Sequence, residues 1–187
     1  MTRTAAREIA IQLSFAASAA GRDPEALLED FFSEEHFKSL AEENELFQEY
    51  PDDKQMEYIR RLLSLSVLHR DEIDANIERY AKGWKLDRIS RTALAILRCA
   101  ICEILYMEDI PDAAAINEAV ELAKGYDEPD TVAFINGVLG SFMRARAKED
   151  GDGSGADSHA AQPDHQGSDR GPAAALPCLR AGRAFQL

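Results

Sequence analysis

Residues 93–106 read ALAILRCAICEILY, which on a helix is apolar on nearly every side and polar only at Arg98 and Glu103. Such a helix has no face to give to water and needs neighbours all round it. It is too short to cross a bilayer, which takes ~20 residues, and no apolar run of that length occurs elsewhere. The opening MTRTAAREIA lacks the apolar block and small-residue cleavage site of a secretory leader. The expectation is a soluble, cytoplasmic protein, with no membrane involved and this segment at the centre of a helical bundle.

The flanking sequence supplies the other helices. Residues 4–20 put Ala6, Ile9, Ala10, Leu13 and Ala17 on one stripe, with Gly21 as the stop. Asp23 caps and Pro24 opens a second helix that runs with interruptions to about Phe47, before YPDDKQ breaks the chain. Met56, Ile59, Leu63 and Val67 recur at helical spacing in a third, and a fourth covers about residues 71–82, ending at Gly83. The central helix, about residues 88–107, is the fifth. Pro111 closes it, Asp112 can cap the sixth, which ends near Gly125, and Pro129 sits in the first turn of the seventh. Nothing alternates apolar and polar residues as a strand does. The fold class expected is all-α, a compact bundle of about seven helices.

From residue 148 the text turns to Gly, Ser, Asp, Ala and Pro without any period, a composition that cannot bury enough apolar surface to offset the entropy of ordering it. The chain is therefore divided into a helical domain at 1–147 and a disordered tail at 148–187, whose end, ALPCLRAGRAFQL, is mildly apolar. The formal charge is −13, from 21 Lys and Arg against 34 Asp and Glu, so the whole molecule repels nucleic acid at long range. One island departs from this: Arg79, Lys82, Lys85, Arg88, Arg91 and Arg98 face only Asp87 between them. Solvated helix ends explain such an island as well as a binding surface does, with Arg98 paired to Glu103 or another buried acid.

Two features look like chemistry. Cys99 and Cys102 have C-x-x-C spacing but share one apolar face in mid-helix, with no second pair or nearby His to complete four ligands, so they read as core. Asn117 and Asn136 interrupt apolar helical patterns. On the sixth helix Ile116, Ala119, Val120 and Ala123 make the expected stripe, and on the seventh Phe134, Ile135, Val138, Leu139 and Phe142 do, which leaves both amides off centre. The structural reading has each amide bonding a helix end or a neighbouring helix, and Gly137, which costs ~1 kcal/mol against Ala in a helix, allowing a close crossing. No phosphate loop, catalytic triad, metal set or cofactor motif is present. An enzyme is not expected.

The stretch INEAVELAKGYDEPDTVAFINGVLGSF, preceded by ILRCAICEILYMEDIP and by TAAREIAIQLSF near the start, resembles the NusB family of transcription antitermination factors over residues 1 to about 147. The resemblance implies an all-helical RNA-binding protein that pairs with a small-subunit ribosomal protein, NusE. Together they hold single-stranded boxA-type RNA and act indirectly on the RNA polymerase elongation complex in ribosomal RNA operons. It also implies that an arginine cluster on the first helix meets RNA phosphates; here only Arg3 and Arg7 remain of it, around Thr4, Ala5 and Ala6. By the same resemblance Tyr126, Asp130 and Phe134 lie beside the RNA, although Phe134 on its stripe reads equally as core. Phe15, Asp87, Arg91 and Ala93 would face the ribosomal protein, and Phe15 too can be core. The thinned cluster and acidic charge support an alternative, a helical protein-interaction module with weakened or lost RNA binding, and a homodimer is left open.

Overall fold

The computed structural model describes residues 1–151. The expected tail therefore lies almost wholly outside the described residues. Among the described residues eight α-helices follow one another: α1 (Arg3–Ala20), α2 (Pro24–Phe31), α3 (Glu34–Glu43), α4 (Asp53–Leu68), α5 (Arg70–Tyr80), α6 (Arg91–Tyr106), α7 (Asp112–Tyr126) and α8 (Pro129–Gly151). Single 3₁₀ turns precede α4, at Glu45–Phe47, and α6, at Leu86–Arg88. No strand occurs among the described residues. Likewise no helix among them is long and apolar enough to cross a membrane.

The local signals act largely as read. The Asp23 side chain accepts from the Ala26 amide with Pro24 behind it, and Gly21 ends α1 in the left-handed conformation at φ 62°. Within YPDDKQ, Asp52 and Gln55 form a reciprocal capping box that starts α4. The expected second helix is in fact two, because the chain leaves the helical path at Phe32 and restarts after Ser33. Phe31, Phe32, Phe37, Phe47 and Tyr50 then close on one another as a cluster of edge-on and stacked rings, which a straight helix could not bring together. Asp112 falls in the first turn of α7 without a side-chain cap bond, and α8 continues past residue 147.

The centre is α6, as its sequence requires. It packs against α1, α4, α5, α7 and α8, and Ile96, Leu97, Ile101 and Cys102 are completely buried. Helix α1 is nearly as deep, burying Ile11, Gln12 and Ser14 besides its expected stripe. On α7 the buried seam is turned by one position: Ala115, Ala119, Leu122 and Ala123 face inward, while Ile116 and Val120 stay half-buried. Small side chains let α7 lie close to α6 and α8, so the larger Ile116 and Val120 flank the seam rather than fill it. Cys99 and Cys102 are both buried, and burial pushes the Cys99 thiol up to about 12 and the Cys102 thiol higher still.

Candidate nucleic-acid interface

Arg3 and Arg7 lie one turn apart on α1 yet have opposite surroundings. Arg3 is exposed, with no carboxylate at ion-pair distance among the described residues. Arg7 turns inward and keeps 8% of its surface. Its Nε and Nη2 lie 3.0 and 2.9 Å from Oε1 of the buried Glu103, and Nη1 lies 3.3 Å from Glu118. Tyr58 donates to the same Glu103 oxygen at 2.6 Å, and its ring sits under the guanidinium at 5.6 Å. Burial alone would lower the Arg7 pKa; Tyr58, Glu103 and Glu118 outweigh it and hold the charge more firmly than usual. Burial and the facing carboxylate drive the Tyr58 phenol far upward, so it stays a donor. The Thr4 hydroxyl donates to Glu118 at 2.9 Å, completing a polar link from the start of α1 to α7.

Tyr126 ends α7 with 9% of its surface exposed; its hydroxyl donates to Glu8 and accepts from the Gln12 amide at 3.3 Å. The ring is thus a strut between α7 and α1, with an edge at the surface. Asp130 is exposed in the first turn of α8, where a carboxylate complements the helix dipole. Phe134, one turn on, is half-buried and lies against Trp84, ring centroids 5.6 Å apart. Trp84 belongs to the basic island, so this contact ties α8 to the loop that carries Lys82, Lys85 and Arg88.

That island resolves into two kinds of residue. Arg98 grips Asp74 at 2.6 and 2.8 Å, while Glu103 holds Arg7 instead, and Arg79 approaches Glu149 at 4.0 Å. Lys82, Lys85, Arg88 and Arg91 are exposed and have no ion pair among the described residues. Asp87 is exposed in the 3₁₀ turn beside them, and Phe15 is half-buried against the core. Ala93 has no exposed surface, its amide capped by Ser90.

Between α7 and α8 runs an open groove of about 540 Å³, with Asn117 and Asn136 on its walls. Both amides are exposed, and neither has a hydrogen-bond partner among the described residues. Contrary to expectation, neither amide secures a helix end or bonds a neighbouring helix among the described residues. Gly137 is exposed as well, and a Cβ there would meet nothing within 4 Å, so it serves no close helix crossing.

The profile described as "NusB family" matches residues 4–144. Transcription antitermination protein NusB of Symbiobacterium thermophilum is 38% identical over 144 residues, 77% of this chain and 90% of that protein. The chain belongs to the NusB family. The NusB of Alkaliphilus oremlandii is 46% identical over 101 residues, covering 54% of this chain and 73% of its own. Among solved structures, T. maritima NusB matches with a TM-score of 0.63 at 28% identity, covering 81% of this chain and 98% of that one. A chain in the crystal structure of antitermination factors NusB and NusE in complex with dsRNA matches with a TM-score of 0.60 at 25% identity, covering 76% and 96%.

Within this NusB-family body, sequence reading overlooked Glu103, Tyr58 and Glu118 as the partners that turn Arg7 inward, and Trp84 as the partner of Phe134. One signal was available for the first: an acid inside an otherwise apolar helix requires a buried cation. Trp84, the chain's one tryptophan, has neighbours too distant in sequence for any local pattern to reveal.

Proposed function

We propose that this protein is an RNA-binding transcription antitermination factor that holds boxA-type RNA together with the small-subunit ribosomal protein NusE. The observation that carries the reading is the match of the whole helical body, in sequence and in fold, to NusB proteins, one of them solved with NusE and RNA. Its role is to bind and present, with no catalytic step. The RNA-facing residues proposed are Arg3 as a phosphate contact and Asp130 as an acceptor for a base amine. The edges of Tyr126 and Phe134 are proposed as stacking surfaces, each stacked base worth ~1–3 kcal/mol. Arg7 is proposed to set the orientation of α1 through Glu103 and Glu118. The NusE-facing residues proposed are Phe15, Asp87 and Arg91, with Ala93 shaping the backbone beneath them.

The test is a titration of a labelled single-stranded boxA-like RNA, with a duplex control, with and without NusE over a salt series. Binding that tightens with NusE is expected; no binding under either condition overturns the reading. Phe15→Asp is expected to weaken the NusE-dependent part. A second reading, a protein-interaction module that has left RNA behind, is favoured by the inward turn of Arg7 and by the charge of −13. It predicts NusE binding or self-association with no RNA affinity at any salt.

A further inference from the structure

The Asn117 and Asn136 side chains are exposed and make no hydrogen bond to any described residue. A helix-surface position tolerates Ala, Glu or Lys at least as well as Asn. Here two amides with no hydrogen-bond partner among the described residues line one groove from different helices, α7 and α8. Val120, Val132, Ala133 and Pro129 give the lining its apolar part, and Asp127, in the α7–α8 turn, also lines it. The Asp127 Oδ2 is shielded from solvent and accepts no hydrogen bond from any described residue. The volume falls within the ~300–1,000 Å³ of small-molecule sites. Lys124 also lines the groove, paired with Glu121.

We propose that the α7–α8 groove receives one unpaired nucleobase of bound RNA, whose polar edge is read by the Asn117 and Asn136 amides. An Asn side chain offers a donor and an acceptor in one plane, the pattern that pairs with base edges, and apolar walls suit the faces of an aromatic ring. Asp127 supplies a further acceptor for an exocyclic amine, and Lys124 a cation for the adjoining phosphate. A nucleobase is favoured over a protein segment because the groove lies on the α7–α8 hairpin that also carries Tyr126, Asp130 and Phe134. The inference rests on the RNA-binding reading above and gives that RNA a base-specific anchor.

The experiment uses the full chain with NusE and fluorescence anisotropy on a single-stranded boxA-like RNA and a set of copies, each with one base removed to leave bare ribose. For the wild-type protein, one abasic position is expected to weaken binding between about 5-fold and about 150-fold. Asn117→Ala and Asn136→Ala are expected to weaken the intact RNA similarly and to erase the penalty at that one position. The salt slope should not change, since no phosphate contact is removed. Both residues are exposed, so an unchanged melting temperature identifies the loss as one of binding.

Variants that bind intact RNA like wild type, or that keep the same abasic penalty, overturn the inference while leaving RNA binding in place. So does a loss confined to NusE binding, which would make the groove a protein site. A wild-type protein that binds no RNA sinks the earlier reading instead, and this one with it.

Discussion

Arg7 and Glu103 are 96 positions apart in sequence and meet in a two-nitrogen contact at 2.9 and 3.0 Å, with 9% and 1% of their side chains exposed. The pair fastens the first helix to the central one at the only acid of ALAILRCAICEILY. Removing one member of such a pair strands a buried charge, which costs about 3–5 kcal/mol, whereas replacing both by apolar residues of similar volume is often near neutral. Arg7→Met and Glu103→Leu singly are expected to lower the melting temperature sharply, and the double variant to recover most of the loss. Equal destabilisation by the double variant and by the sum of the singles would refute the coupling.

The two arginines of α1 should separate in RNA titrations. Arg3→Ala is expected to lower the magnitude of the salt slope by about one, the mark of one lost phosphate contact. Arg7→Lys, measured under conditions where it is folded, is expected to leave the slope alone, because the wild-type guanidinium is committed to carboxylates. Identical slopes for Arg3→Ala and wild type would remove Arg3 from the interface.

Gly137 sits inside α8 with open space where a side chain would be. Gly137→Ala is therefore expected to stabilise the protein by about 0.5–1 kcal/mol, mainly by restricting the unfolded chain. Chemical denaturation measures it as a shift in midpoint at constant slope. Destabilisation would mean that α8 bends at this point in solution.

Asp127 should give a pH signature. Burial, with Glu128 next in effect, raises its carboxyl above the ordinary 3.8. The folded state thus holds the proton more tightly than the unfolded one, a contribution that favours folding below 3.8 and is lost as pH rises through the elevated value. Asp127→Asn is accordingly expected to raise the melting temperature at neutral pH, with the gain shrinking to nothing in acid below 3.8. A pH-independent gain would assign the effect to packing rather than charge.

Cys99 and Cys102 are expected to resist alkylation at pH 8 in the folded protein and to react fully once it is denatured, as peptide mapping would show. The thiolate is the reactive form, and burial suppresses it at both positions. Rapid labelling of either in the native state would contradict their placement in the core.

Much of the fold was legible because it follows from local rules. An all-round apolar segment had to be central, and Gly21, Asp23-Pro24 and YPDDKQ punctuate the chain through capping and φ preferences that act within a few residues. The break at Phe32 was not legible, since it serves an aromatic cluster drawn from α2, α3 and the 3₁₀ turn beyond. The rotation of the α7 seam was missed for a related reason: periodicity shows that a stripe exists, but how closely neighbours approach decides whether alanines or larger residues occupy its middle. For the candidate site, residue type could not reveal direction. Arg3 and Arg7 look alike on paper, and only Glu103 and Glu118, brought in from other helices, turn one of them away from water.

The contact of Trp84 with Phe134 provides a built-in optical probe. Because no other indole exists in the chain, its emission reports on one spot, where the α5–α6 loop meets α8. A ring system sliding over Phe134 would quench or shift that light, so unlabelled protein can itself signal that a visitor has reached this junction.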